Sequence, residues 1–176
     1  MNVTLTKKKL LSILAREPLA PGTFVTKAKP EWDEKGRAES VYGDIKNKEC
    51  IGCAVGQLFR NLITSTTKAS EINSWCSLET LKDTTDVSSN GDSKAHMIAG
   101  RFLAALSVEF ERACVKYHAR GKVIRSPNHP VKKAVFKFVN EKFPPTITLN
   151  LNGFKLRRGV KADPEPVADP ELAPTK

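Results

Sequence analysis

Four residues of the sequence have types and spacings that suit a metal ion. Cys50 and Cys53 lie three positions apart at the start of a predicted helix, and Cys114 and His118 lie four positions apart on a later one. Residues four apart on a helix share one face, so Cys114 and His118 would point the same way. Three cysteines and one histidine are a normal ligand set for structural zinc and leave no open position for catalysis. The four residues are therefore a candidate structural zinc site, and we expect no other cofactor.

The same cysteines allow two other interpretations. As small, half-buried side chains they would belong to the core, which is the ordinary role of a free cysteine. A cysteine at a helix N-terminus also has its thiolate favoured by the helix dipole, as a cysteine-dependent hydrolase requires. The candidate bases would then be His96, His118 and His129, but no local motif marks any of them. The sequence favours a protein without catalysis and leaves the hydrolase as an alternative.

Positive charge is concentrated in one part of the chain. Residues 101–161 hold fourteen lysines and arginines against three acids, whereas residues 1–100 have a net charge of +2 and residues 162–176 one of −3. Such a concentration indicates a polyanionic partner, either nucleic acid or a nucleoprotein. The residues predicted to contact it are Arg112, Lys116, Arg120, Lys122, Arg125, Lys132, Lys133, Lys137, Lys155, Arg157 and Arg158.

Several classes of function have no support in the sequence. It contains no glycine-rich phosphate loop and no known metalloenzyme motif. It shows no ladder of aromatic residues of the kind that binds single strands. It also shows no clear helix-turn-helix frame and no evident base-reading residues, so we expect no sequence-specific reading of bases. No segment approaches the roughly 20 apolar residues that a membrane span needs. We therefore expect a cytoplasmic protein without a membrane partner.

Apolar periodicity predicts the elements that must position these residues. Helices are expected at about 7–17, 50–62, 94–120 and 131–142, each with its apolar residues at steps of three and four. On the fourth helix the valines would face inward. Lys132, Lys133 and Lys137 would face outward and add to the basic surface.

The end of the sequence predicts strands and then an unstructured tail. Apolar and polar residues alternate over 147–151 and again over 154–157, and Asn152-Gly153 lies between the two runs. An Asn-Gly pair in this position is typical of a β-hairpin. The acidic, proline-rich stretch 162–176 has no periodicity and is expected to be disordered. We therefore predict a mainly helical α+β domain over residues 1–161, with its basic module at 101–161.

Three segments together resemble a known kind of protein. The first is the leucine-rich first helix followed by Gly22-Thr23-Phe24-Val25, and the third is the later helix segment 102–111. The second is the stretch 50–59, in which Cys53-Ala54-Val55-Gly56-Gln57-Leu58 matches the motif of these proteins. Their order resembles small, uncharacterised phage and prophage proteins over about the first 120 residues. The Asn-Asp usual before the last helix of these proteins is absent here, and most of the basic module and the acidic tail lie outside the resemblance.

The resemblance implies a phage-type accessory protein that works in a bacterial cytoplasm, with no catalytic residue to carry over. In that setting a small basic protein would bind nucleic acid. The alternative is a protein-binding inhibitor of a host enzyme or of an anti-phage defence complex that itself handles nucleic acid.

Overall fold

The computed structural model describes residues 1–22, 25–26, 51–64, 91–151 and 154–164 of the chain. This part is mainly helical with short antiparallel strands, so the predicted α+β class is confirmed. Its helices are α1 (Lys7–Arg16), α2 (Ala54–Leu62), α3 (Gly91–Lys116) and α4 (Pro130–Lys142). Its strands are β1 (Asn2–Leu5), β2 (Val25–Thr26), β3 (Ile51–Gly52) and β4 (Ile147–Asn150). Within these ranges, every helix is either too short or too polar to span a membrane.

The first two helices each begin at a side chain that caps the first turn. Thr6 Oγ1 accepts a hydrogen bond from the Lys9 amide at 3.2 Å. Cys53 Sγ accepts one from the Gly56 amide at 3.4 Å. Each cap satisfies a backbone N–H that the first turn leaves without an intrahelical partner. Because β3 comes directly before this cap, α2 starts later than the sequence predicts.

α3 ends earlier than predicted, and His118 is the residue that terminates it. His118 has a left-handed φ of 52°, and its amide donates to the Val115 carbonyl at 3.2 Å. The Ala119 amide donates to the Cys114 carbonyl at 2.8 Å. These two bonds form a Schellman motif in which His118 takes the position that glycine usually occupies. His118 is exposed beyond the helix, so the prediction that it shares a helix face with Cys114 is wrong.

α4 begins with a histidine cap followed by proline. The Val131 amide donates to His129 Nδ1 at 3.1 Å, and Pro130 occupies the first turn, where its missing N–H costs nothing. Val131, Val135 and Val139 are fully buried. The valines therefore face the core as predicted and direct the opposite face of α4 outward.

The strand predicted at 147–151 forms, but its partner is β1. The two strands are antiparallel, with Val3 opposite Leu149 and Leu5 opposite Ile147. All four side chains are buried. β1 is the better partner because its alternating residues place a second pair of apolar side chains on the same buried face.

The segment 154–157 pairs elsewhere, so the predicted C-terminal hairpin is wrong. It runs beside the end of α2, where the Thr64 amide donates to the Lys155 carbonyl at 2.7 Å and the Arg157 amide donates to the Leu62 carbonyl at 2.9 Å. The turn predicted at residues 152–153 lies outside the described residues. An isolated two-stranded hairpin is only marginally stable in water. Here 147–150 pairs with β1, and 154–157 pairs with the chain at the end of α2.

The packed chain extends past residue 161, where the tail was predicted to begin. The Asp163 carboxylate accepts hydrogen bonds from the Thr4 amide at 3.0 Å and from Thr4 Oγ1 at 2.9 Å. The Asp163 amide donates to the Asn2 carbonyl at 2.8 Å. The first acid of the predicted tail is therefore an anchor on β1. Residues 165–176 lie outside the described residues.

α3 and α4 pack together through aromatic side chains. The Phe102 ring stacks on Phe138 with centroids 5.9 Å apart and meets Phe143 edge-on at 5.3 Å. Each such pair adds about 0.5–1.5 kcal/mol beyond the area that it buries. This contact holds the C-terminal end of α4 beside the middle of α3.

Candidate nucleic-acid interface

The C-terminal end of α3 and the outer face of α4 form an open groove, called here the α3/α4 groove. Lys116 and Tyr117 come from the end of α3, and Lys133 and Lys137 come from α4. The groove has a volume of about 580 Å³, and its other lining residues are Glu109, Asn128, Pro130, Ala134, Phe138 and Glu141. The fold therefore brings three of the predicted phosphate-contacting lysines together.

The local sequence explains why these side chains meet. Lys133 and Lys137 are four apart on α4, so they share one face, and the buried valines hold that face outward. Lys116 is the last residue of α3, and its Nζ lies 5.4 Å from the centroid of the Tyr117 ring. At an exposed site, the cation–π attraction between an ammonium group and an aromatic ring stabilises the pair by about 0.5–1 kcal/mol.

Two carboxylates also line the groove and moderate its charge. Glu109 pairs with Arg112, whose Nη1 lies 3.4 Å from Glu109 Oε2, so one of the two negative charges is balanced nearby. Within the described residues, Lys116, Lys133 and Lys137 form no ion pair. The groove is therefore positive overall, and its lysine amines are available to an anion.

The remaining predicted contact residues do not line this groove. Arg157 is half-buried, and its Nε donates to the Arg60 carbonyl. Six others are exposed on α3, on the link to α4 and on the C-terminal segment, and they are Arg112, Arg120, Lys122, Arg125, Lys155 and Arg158. The basic module predicted from the sequence thus contains one cluster and several scattered cations.

Lys132 is buried, so the prediction that it faces outward on the basic surface is wrong. Its Nζ donates to the carbonyls of Ala15 at 2.9 Å, Glu17 at 2.8 Å and Arg125 at 3.1 Å. These bonds use all three ammonium protons. The end of α1 offers carbonyls without intrahelical partners at the negative end of the helix dipole, which is a favourable place for a cation.

Lys132 belongs to a set of polar residues that holds the end of α1. Burial lowers the pKa of Lys132 from its ordinary 10.5 to about 8, although the Glu17 carboxylate acts in the opposite direction. Glu17 Oε2 also accepts from Arg60 Nη1 at 2.9 Å, and Gln57 Nε2 donates to the Pro18 carbonyl at 2.7 Å. We call Lys132, Glu17, Arg60 and Gln57 the buried clamp. It joins α1 to α2 and α4.

Cys53 lies close enough to Cys114 to raise the pKa of the Cys114 thiol, and both thiols resist ionisation. Burial raises the pKa of Cys53 to about 11 and that of Cys114 to about 12, and the Glu111 carboxylate raises both further. At neutral pH both thiols are protonated. The sequence-based expectation that the helix N-terminus would favour a Cys53 thiolate is therefore wrong, because desolvation outweighs the helix dipole.

The four predicted zinc ligands are only partly described. Cys53 and Cys114 come near each other, His118 is exposed beyond the end of α3, and Cys50 lies outside the described residues. Among the described side chains, no three or more from His, Cys, Asp and Glu are placed to hold a metal ion. The zinc site stays a prediction, which metal analysis of the purified protein and of a Cys114→Ser variant would check.

Two of the histidines proposed as catalytic bases, His118 and His129, lie at the ends of helices and have structural roles there. His129 Nδ1 accepts the cap hydrogen bond of α4, and His118 terminates α3. The side chain of His96 lies outside the described residues. In the described part of the chain, neither His118 nor His129 forms a hydrogen bond with Cys53 or Cys114. The geometry therefore gives the hydrolase alternative no support.

A second basic groove, which the charge count did not predict, runs along α1 and is called here the α1 groove. Its cations are Lys8, Lys9 and Arg16, its volume is about 370 Å³, and the other lining residues are Thr6, Ser12, Ile13 and Asn61. The charge count did not reveal this groove because positive and negative residues are nearly equal in number over residues 1–100. The run Lys7-Lys8-Lys9 with Arg16 two turns later was the available signal.

Comparison of the chain with protein-family models, with curated proteins and with solved structures found no match. A proposal for its function therefore depends on the arrangement of side chains described above. The phage resemblance stays a prediction.

Proposed function

We propose that the protein binds nucleic acid through the α3/α4 groove, without catalysis, as a phage-type accessory protein in a bacterial cytoplasm. The observation that supports this most is the convergence of Lys116, Lys133 and Lys137 from two helices into one groove. Each amine is a point charge suited to a phosphate rather than to the edge of a base. Phosphate contacts of this kind release counterions and give affinity without sequence preference.

Tyr117 supports a single-stranded ligand over a duplex. Its side chain lines the groove and is 38% exposed. An unpaired base can stack on an exposed aromatic ring, which contributes about 1–3 kcal/mol per base. In a duplex the bases are already stacked on one another and would reach the ring only after being turned out.

The proposal is tested by fluorescence anisotropy with a labelled single-stranded oligonucleotide across a salt series. The groove variant is Lys133→Gln with Lys137→Gln. Its control is Arg101→Gln with Lys161→Gln, which removes the same charge from two exposed residues outside both grooves. Log affinity falls with log salt, and each lost phosphate contact makes this slope shallower by about 0.7. The groove variant loses two contacts, so its slope should be shallower than that of the wild type by about 1.4.

Two results would contradict the proposal. One is wild-type binding that is absent at low salt or that does not weaken as salt rises. The other is a groove variant that binds with the same affinity and slope as its control. Either would show that the lysines of the α3/α4 groove do not contact phosphates.

A second candidate is binding of an acidic amphipathic helix from a host or anti-phage defence protein. Ile98, Val108 and Val115 are all more than a third exposed, and they lie along one face of α3 at intervals typical of helix pairing. Arg101 and Arg112 interrupt this face, so a partner with acids beside its apolar residues would complement it.

The two candidates are separated by a pull-down from nuclease-treated bacterial lysate. Protein binding predicts a captured partner that is lost with Val108→Glu and Val115→Glu but kept with Lys133→Gln and Lys137→Gln. Nucleic-acid binding predicts that nuclease treatment removes whatever the wild-type chain captures.

A further inference from the structure

The α1 groove is the more uniformly basic of the two grooves. Lys8, Lys9 and Arg16 line it, and no carboxylate is among its described lining residues. The α3/α4 groove also has three cations, but Glu109 and Glu141 line it with them. An anion in the α1 groove would therefore meet Lys8 and Lys9 together with Arg16, whose charge is shared with Glu17 outside the lining.

The α1 groove also presents uncharged hydrogen-bonding groups and one arginine in a fixed position. Arg16 Nη2 donates to Asn61 Oδ1 at 2.8 Å, and Arg16 Nε donates to Glu17 Oε1 at 3.1 Å. Its side chain is still 62% exposed. Ser12 is exposed on the same helix. Hydroxyl, amide and cationic groups along one groove are the usual partners of phosphate oxygens.

Lys7 connects the start of α1 to the end of α4. Its Nζ donates to the Asn140 carbonyl at 3.4 Å, so the start of α1 lies against the end of α4. Asn140 is the neighbour of Glu141, which lines the α3/α4 groove, and Lys7 is the neighbour of Lys8, which lines the α1 groove. Lys7 is exposed and adds a further positive charge at this junction.

We propose that the α1 groove binds the phosphates of the same nucleic-acid strand that occupies the α3/α4 groove. This inference rests on the proposed function and gives that function a second contact surface. From Lys8 to Arg16 the helix rises about 12 Å, at 1.5 Å per residue. That length spans roughly three or four phosphates at the 3.4 Å spacing of a stacked strand.

The test compares three double variants in the same salt series, using single-stranded oligonucleotides of increasing length. The α1-groove variant is Lys8→Gln with Lys9→Gln, which keeps helix propensity and leaves the Thr6 cap intact because that cap uses the backbone of Lys9. The α3/α4-groove variant is Lys133→Gln with Lys137→Gln. The control is Arg101→Gln with Lys161→Gln. All three carry the same net charge.

Relative to the control, the α1-groove variant should have a salt slope that is shallower by about 1.4. Its affinity at low salt should be about tenfold weaker than that of the control. Wild-type affinity should rise with oligonucleotide length until both grooves are filled, and the α1-groove variant should stop gaining at a shorter length. A uniform fall in affinity for all three variants would reflect only net charge and would overturn the inference.

The inference and the proposed function fail in different ways. If the α1-groove variant matches the control while the α3/α4-groove variant weakens, the α1 groove is not a contact surface and the proposed function stands. If only the α1-groove variant weakens, the proposed α3/α4 site is wrong, and with it the proposal of one strand across both grooves. If wild-type protein binds no oligonucleotide, both fail.

Discussion

The buried clamp and the α3/α4 groove use the same kinds of side chain for opposite purposes. In the clamp, Lys132 gives all three ammonium protons to backbone carbonyls, and Arg60 pairs with Glu17. In the groove, Lys133 and Lys137 are exposed and form no ion pair with a described residue. Lys132 and Lys133 are adjacent in the sequence, so one step along α4 separates a structural cation from one that is available to a ligand.

This difference shows that a basic segment is not the same as a basic surface. A lysine on the inner face of a helix is excluded from water. Lys132 is tolerated there because the end of α1 and the link before α4 together supply acceptors for its three protons. A lysine on the outer face keeps its solvated charge and can exchange counterions for phosphates. The position of each cation relative to the core therefore decides whether it stabilises the fold or binds a partner.

The largest expected effect comes from breaking the clamp at its centre. Lys132→Met should lower the free energy of unfolding by about 3–5 kcal/mol, because it leaves three part-buried carbonyls without the ammonium donor. Lys133→Met, one residue along, should change it by no more than about 0.5 kcal/mol. Urea unfolding of both variants measures this difference. Equal effects at the two positions would remove the distinction between clamp and groove.

A smaller effect is expected from the carboxylate of the clamp. Glu17→Gln should lower the free energy of unfolding by about 2 kcal/mol, because the largely buried Arg60 loses its charged partner. The loss is limited because the glutamine oxygen can still accept a hydrogen bond from Arg60. The salt slope lost on Lys133→Gln with Lys137→Gln should be the same with and without Glu17→Gln, because Glu17 contacts Arg16 of the α1 groove but does not line the α3/α4 groove. Thermal unfolding and anisotropy on the same preparation check both statements. A different loss of slope would connect the clamp to binding in the α3/α4 groove.

The pKa of Lys132 predicts a dependence of stability on pH. The folded pKa of about 8 lies below the ordinary value of 10.5, so between these values the unfolded chain binds more protons than the folded one. The contribution of Lys132 to the free energy of unfolding therefore rises with pH, by about 1 kcal/mol between pH 8 and 9. Urea unfolding at several pH values should show this rise in wild type and in Lys133→Met. Its persistence in Lys132→Met would assign it to another group.

The smallest effect is expected at Cys53. Cys53→Ser should change stability by less than about 1 kcal/mol, because serine can cap α2 through the same Gly56 amide. Nucleic-acid affinity should not change, because the thiol is protonated and lies outside both grooves. Urea unfolding and anisotropy on Cys53→Ser measure both quantities. A loss of affinity without a loss of stability would mean that Cys53 has a role that the geometry does not provide.

Local patterns were sufficient to predict the helices and the class of the fold. The inward face of α4 follows from its valine spacing and its start from Pro130, and the alternation at 147–151 predicts a strand. These features depend on neighbouring residues, whose periodicity reflects which face is buried. The convergence of Lys133 and Lys137 could be predicted for the same reason, because it depends on one helix only.

The failed predictions concern partners that are distant in the sequence. Two of the three carbonyls that bind Lys132 are more than a hundred residues away, and β4 pairs with β1 from the opposite end of the described chain. No periodicity within α4 could show that the end of α1 would supply acceptors. The α1 groove was missed because counting charge over a hundred residues averages cations on one helix with acids elsewhere in the sequence.

The comparison between clamp and groove is tested most directly by amine acylation followed by mass spectrometry, with and without a single-stranded oligonucleotide. In the free folded protein Lys132 should be unreactive, and Lys116, Lys133 and Lys137 should be modified readily. The oligonucleotide should protect these three lysines, while Lys161 stays reactive. Modification of Lys132 at the rate of Lys133, or groove lysines that react equally with and without the oligonucleotide, would contradict the account.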